Sequence, residues 1–214
     1  STSPWTGSEL IENMDKKATW DRFYTETSSG KAPFKNFEWF FGFDSVRDLQ
    51  TMSRPDAALH VVDMGCGTSA LGPSIYRHSP VSVHVTCADI SHIAVKLICS
   101  SQIEFVELDC TQLDKRFSPS TVDLIIDKGT TDALLRSREG KQNASLVLKQ
   151  CLRVLRSSGS LLQFSDEDPD SRLIWLETAA QDPGVMTADV GVQEVGELRG
   201  IHYYCYQVTP HPVL

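Results

Sequence analysis

Leu59-His-Val-Val-Asp63-Met-Gly65-Cys-Gly67-Thr-Ser-Ala-Leu-Gly72 is the stretch that decides the fold. A short apolar run ends in Asp63, glycines follow at Gly65 and Gly67, and the next residues can open a helix. Strand, glycine turn and helix N-terminus in succession bring bare backbone close to a ligand. Gly65 and Gly67 are read as the positions where a Cβ would stand in the way.

Outward from this turn the chain alternates strand and helix. Ser69–Arg77 reads as a helix stopped near Pro80, and Val81–Cys87 alternates with period two toward Asp89. Ser91 can cap a helix carrying Ile93, Ala94, Leu97 and Ile98, after which Ile103–Leu108 leads into Asp109. Val122–Ile126 ends at Asp127. Asn143–Arg156 has the apolar stripe of a helix, with Gly159 expected to terminate it. Ser160–Phe164 is a fifth strand, followed by the acidic loop Ser165-Asp-Glu-Asp168-Pro. Val185–Val195 and Ile201–Val208 close the chain with little room for a helix between them. The order predicts an α/β fold with a mostly parallel sheet ending in an antiparallel hairpin.

Before this core, residues 1–36 read as a polar extension with one short helix around Trp20, Phe23 and Tyr24. The domain proper is taken as 37–214. It opens with Phe37-Glu-Trp39-Phe-Phe-Gly42-Phe43, a density of aromatics that suits either packing on a core or closing over a ligand. Asp44 is a cap for a helix from Ser45 to about Met52.

At 214 residues the chain is sized for one core. Its net charge of −8 and scattered Lys and Arg exclude a nucleic-acid partner held through phosphates. No apolar run approaches the ~20 residues that span a bilayer, so no membrane partner is expected. None of the six cysteines forms a C-x-x-C pair, which leaves zinc and dithiol redox chemistry without a motif and predicts no metal site. The chain opens on Ser1 rather than Met, as expected where a leader or another N-terminal segment has been removed.

Ligands of open α/β sheets bind outside the carboxyl ends of the strands. Four successive predicted strands end at or just before an acid: Asp63, Asp89, Asp109 and Asp127. Any one of them is explained as a turn or cap residue; four at one edge point to a site. Asp89 has the spacing of an acid that accepts from a ribose diol, and Asp109 with Cys110 is placed to meet an adenine. Gly65-Cys-Gly67-Thr-Ser-Ala70 also satisfies a dinucleotide fingerprint. Asp63 decides against that reading, because a carboxylate beside a pyrophosphate is repulsive whereas one beside a sulfonium or ammonium is not. S-adenosylmethionine is the cofactor that fits.

Val61-Val-Asp63-Met-Gly65-Cys-Gly67 resembles motif I of the class I, seven-stranded methyltransferases. Phe37–Asp44, Asp127-Lys-Gly-Thr130-Thr-Asp-Ala133 and Gln163-Phe-Ser-Asp-Glu-Asp-Pro-Asp170 narrow the resemblance to the protein-lysine methyltransferases of the methyltransferase-like group. Within it the citrate synthase-lysine branch is nearest, over nearly the whole domain. The resemblance implies a Rossmann-like sheet of order 3-2-1-4-5-7-6 with helices on both faces, a mitochondrial matrix address, and a folded protein substrate, citrate synthase. It implies cofactor contacts from Trp39, Asp63, Gly65, Gly67, Asp89, Ile90, Asp109, Cys110 and Asp127. Thr131 stands where the group usually carries a bulkier residue. No N/D-P-P-Y/F/W motif follows the fourth strand, which disfavours methylation of adenine or glutamine amino groups.

A lysine side chain with pKa ~10.4 is neutral in roughly one molecule in two thousand at pH 7, so the site must orient and desolvate the amine. Asp127 is the first candidate for holding it, with Asp132 next; Thr130 and Asp166 are the candidate substrate contacts. Capping the following turn is the alternative for Asp127, and a solvated loop is the alternative for Asp166–Asp170. A small-molecule methyltransferase is the alternative function. The compact C-terminus, without a cap between the last strands, favours a large substrate docking from outside.

Overall fold

The computed structural model describes residues 58–65, 76, 82–89, 103–181, 186–198 and 200–212. The expected helices at Ser69–Arg77 (Tyr76 apart) and after Ser91, the 36/37 boundary, Trp39, Gly67 and Ile90 lie outside the described residues.

Seven strands form one sheet in the order β3-β2-β1-β4-β5-β7-β6. They are β1 (Leu59–Met64), β2 (Val83–Asp89), β3 (Ile103–Glu107), β4 (Val122–Asp127), β5 (Leu155–Ser165), β6 (Met186–Leu198) and β7 (Ile201–Pro212). The first five are parallel; β7 runs antiparallel to both β5 and β6. This is the α/β architecture and strand order expected, with each strand of the terminal hairpin running three to four residues further at its C-terminal end than its apolar alternation showed. The six residues of β4 are all buried, as a central strand covered on both faces must be.

Among the described residues three α-helices follow the fourth and fifth strands: α1 (Thr130–Leu135), α2 (Arg138–Val154) and α3 (Pro169–Ala179). A 3₁₀ helix, Cys110–Lys115, follows β3. α2 starts five residues before the periodic stripe because Ser137 caps it, its hydroxyl accepting from the Gly140 backbone N–H at 2.8 Å. Its Val147, Leu148, Cys151 and Leu152 pack onto Val62, Met64, Ile125 and Leu161 of the sheet. Each such side chain, fully buried, contributes about 1.5–3 kcal/mol against exposure.

Gly159 does not end that helix. The backbone turns extended at Leu155 and enters β5 directly. A Cβ on Gly159 would lie 2.7 Å from the Asp123 carbonyl oxygen, beside the register shift between Val122 and Leu124. The glycine is there for close strand approach.

Candidate active site

The register lines up the carboxyl ends of the central strands. Met64 of β1 pairs with Asp127 of β4, and Asp127 with Gln163 of β5; Gln163 in turn faces Tyr206 of β7. Because side chains alternate along a strand, this row and Ser165, two residues on, address one face of the sheet. Asp63, one residue before Met64, addresses the other. The two buried acids therefore reach the same edge from opposite faces.

Asp63 is buried, and its Oδ2 has no hydrogen-bond partner among the described residues. Burial raises its pKa from 3.8 to about 6; Lys128 opposes that rise, while Asp89 and Asp127 reinforce it. A buried acceptor left without a donor is costly, and the group that satisfies it is a cation or an N–H donor. This matches a ligand carrying an ammonium or a sulfonium. Asp89 sits half-buried at the end of β2.

Gly65 has φ +67°, a left-handed backbone that glycine adopts without penalty. Its closest constraint is internal: a Cβ there would stand 2.0 Å from Thr130 Oγ1. Thr130, expected to meet the substrate, turns this hydroxyl toward the Met64 carbonyl oxygen at 3.5 Å. Cys110, at the start of the 3₁₀ helix, has its thiol pushed up to about 12 by burial, with the Gly65 backbone pulling the other way. Asp109 accepts from the Thr111 backbone N–H and hydroxyl at 2.9 and 2.8 Å, capping the 3₁₀ helix with Oδ1.

Asp127 is engaged in the same way. Its carboxylate accepts from the backbone N–H groups of Gly129, Thr130 and Thr131 at 3.2, 2.9 and 3.3–3.4 Å, and from the Thr131 hydroxyl. Burial holds its pKa above the ordinary value, with Thr131 pulling the other way. Both oxygens are thus directed at the start of α1, and the capping role weighed for this residue is the one its contacts display. Thr131 also accepts from Gln163 Nε2 at 3.0 Å. A hydroxyl at this position does what a bulkier apolar residue does not.

Asp132 is buried beside it. Its Oδ1 accepts from the Ser165 hydroxyl at 2.9 Å and from Arg172, and its Oδ2 lacks a partner among the described residues. The acidic loop after β5 is largely committed. Asp168 caps α3 by accepting from the Asp170 N–H at 2.8 Å, and Glu167 pairs with Arg172. Asp166 remains half-buried, its pKa raised by burial and then by the charge of Asp132.

Gln163, Ser165 and Arg172 hold Asp132 and Thr131 in place, and sequence reading did not assign them. The signal was a polar residue breaking the apolar run Leu161-Leu162-Gln163-Phe164, and an Arg four residues before Leu176 on a helix's inward face. No group of His, Cys, Asp or Glu among the described residues is arranged to hold a metal ion.

Residues 55–188 match the methyltransferase domain family. The chain is 60% identical to the mitochondrial citrate synthase-lysine N-methyltransferase of zebrafish, over 94% of this chain and 86% of that one. It is 37% identical to the human protein of the same name, over 96% and 90%. Among solved structures it resembles a TehB-like S-adenosylmethionine-dependent methyltransferase of Corynebacterium glutamicum, with a TM-score of 0.58 at 14% identity, covering 94% of this chain and 99% of that one. That likeness is one of fold. The sheet order, the glycine turn behind a buried acid and these relatives agree: the chain is an S-adenosylmethionine-dependent protein-lysine methyltransferase and belongs to the citrate synthase-lysine N-methyltransferase family.

Proposed function

We propose that this protein methylates a lysine side chain of citrate synthase, in mitochondria. The name its relatives share supports the substrate and the address. The observation that carries the chemistry is the pair of buried carboxylate oxygens, Asp63 Oδ2 and Asp132 Oδ2, without partners among the described residues. Each oxygen is an acceptor for a cationic or N–H-bearing group, in this reading one belonging to the cofactor and one to the substrate.

In this reading Asp63 and Asp89 hold S-adenosylmethionine, with the Gly65 turn, Asp109 and Cys110 beside it; Trp39, Gly67 and Ile90 complete the set proposed. The bound cofactor supplies an electrophilic methyl group on a sulfonium. Asp132 receives the substrate amine through Oδ2. Asp127 supports it indirectly, by fixing the start of the helix that carries Asp132, and Thr130 fixes the same turn against β1. Asp166 stands at the rim as a contact for a basic substrate surface. The substrate ammonium gives up its proton to water at a cost of about 4–5 kcal/mol at pH 7, which desolvation and orientation of the neutral amine offset without a dedicated strong base.

The test is transfer of labelled methyl from S-adenosylmethionine to purified citrate synthase and, in parallel, into a mitochondrial extract, with the modified residue located by mass spectrometry. Label on a lysine is the expected result. Label appearing only in small molecules of a mitochondrial extract supports the alternative, a small-molecule methyltransferase, and refutes the protein substrate.

A further inference from the structure

Arg172 is 1% exposed and lies on the inward face of α3, where Leu176 and Ala180 are also buried. Burial opposes its charge, yet Asp132 and Glu167 beside it hold its pKa above the ordinary value. Nη2 donates to Asp132 Oδ1 and, at 3.1 Å, to Ser165 Oγ; Nη1 donates to Gln163 Oε1 at 3.1 Å; Nε donates to Glu167. Trp175 and Tyr206 lie 5.8 and 5.7 Å from its Cζ and keep the fork in place.

A buried ion pair is weak evidence for a stabilising role, since apolar replacements are often neutral or better. Where its contacts lead is more informative. One arm ends on Asp132, whose Oδ1 is held by Arg172 and Ser165 together, leaving Oδ2 as the oxygen without a partner among the described residues. The other arm runs through Gln163, whose Nε2 donates to the Thr131 hydroxyl, which donates to Asp127. One guanidinium therefore sets the Asp127 carboxylate at the end of β4 and the Asp132 carboxylate on α1, from an element that follows β5.

We infer that Arg172 is the positioning residue of the lysine site: it orients Asp132 so that Oδ2 is offered to the substrate amine, and braces the Asp127 cap behind it. This rests on the reading of Asp132 as the acceptor of that amine. Arg172 itself touches no reacting atom. Lysine in its place retains the charge but not a planar fork with donors in three directions.

The experiment compares full-length wild type and Arg172→Lys on citrate synthase at saturating substrate. The expected result is a kcat lower on the order of 10–100-fold, with KM for S-adenosylmethionine within about twofold of wild type, a split that general loosening of the fold would not produce. Wild-type kcat in Arg172→Lys overturns the inference alone. No turnover by the wild type overturns the substrate reading and this inference with it. Should Arg172→Lys not fold, Gln163→Leu carries the test, because it cuts the arm by which Arg172 braces the Asp127 cap and leaves the ion pair with Asp132. A several-fold lower kcat at unchanged KM is then expected, and an unchanged kcat overturns the inference.

Discussion

Asp63→Asn should make the cofactor-free protein more stable while weakening its hold on S-adenosylmethionine. The Asp63 carboxylate is 1% exposed, and burial raises its pKa from 3.8 to about 6. In the unfolded chain it ionises near the lower value. Between the two the folded state holds the extra proton, so stability falls as pH rises through this window and levels off above about 6. A difference of this size corresponds to about 3 kcal/mol, of which roughly half is still to be lost between pH 5 and pH 8. Asparagine abolishes the titration but leaves an amide donor to satisfy, at about 1 kcal/mol. The variant should therefore exceed wild type by about 2 kcal/mol at pH 8 and by under about 1 kcal/mol at pH 5.

Urea unfolding of both proteins without cofactor at the two pH values, followed by circular dichroism, measures the gap; calorimetry with S-adenosylmethionine measures the loss of affinity. A gap that does not change with pH, or a wild type more stable than the variant at pH 8, refutes the reasoning. A stabilised variant that binds poorly is the signature of a group kept for its ligand at the expense of the fold.

Asp127→Asn retains one acceptor oxygen for four donors, so it should lower stability by about 1–2 kcal/mol and reduce kcat more than cofactor affinity. Thermal unfolding and steady-state kinetics check it, and a wild-type rate removes Asp127 from the site. Gly65→Ala sets a Cβ 2.0 Å from Thr130 Oγ1 at φ +67°, a loss of about 1–3 kcal/mol in chemical denaturation. Thr130→Ala in the same chain should restore part of that loss; a Gly65→Ala protein as stable as wild type shows that the turn can relax.

The first four strands were legible because each ends where an apolar run meets an acid, and the others because hydrophobic alternation survives in a single sequence. Their order came from resemblance, since nothing in the run Leu59–Met64 says which strand lies beside it. The short α1 was not legible: six residues give no period, and its start is set by Asp127, two residues before its Gly129 cap. α3 was missed for another reason. Its inward face carries Arg172, which breaks the apolar stripe where the structure most needs a cation. The acids at strand ends were readable as a set, but their duties were not. Asp109, Asp127 and Asp168 each cap the segment that follows, whereas Asp63 and Asp132 each have an oxygen lacking a partner among the described residues. Residue type is the same in both groups; only the backbone around it differs.

That division explains why the turn at Gly65 matters beyond any ligand. Asp63 and the row formed by Asp127 and Gln163 address opposite faces of the sheet, so the faces must be joined at a fixed distance if donor and acceptor are to meet in line. The joint is the contact of Gly65 with Thr130, the residue that opens α1 two positions before Asp132. A side chain at 65 would push α1 away from β1 and move Asp132 with it. Arg172 holds Asp132 from one side and Gly65 keeps its helix close on the other. A methyl transfer that depends on placement more than on a strong base needs both.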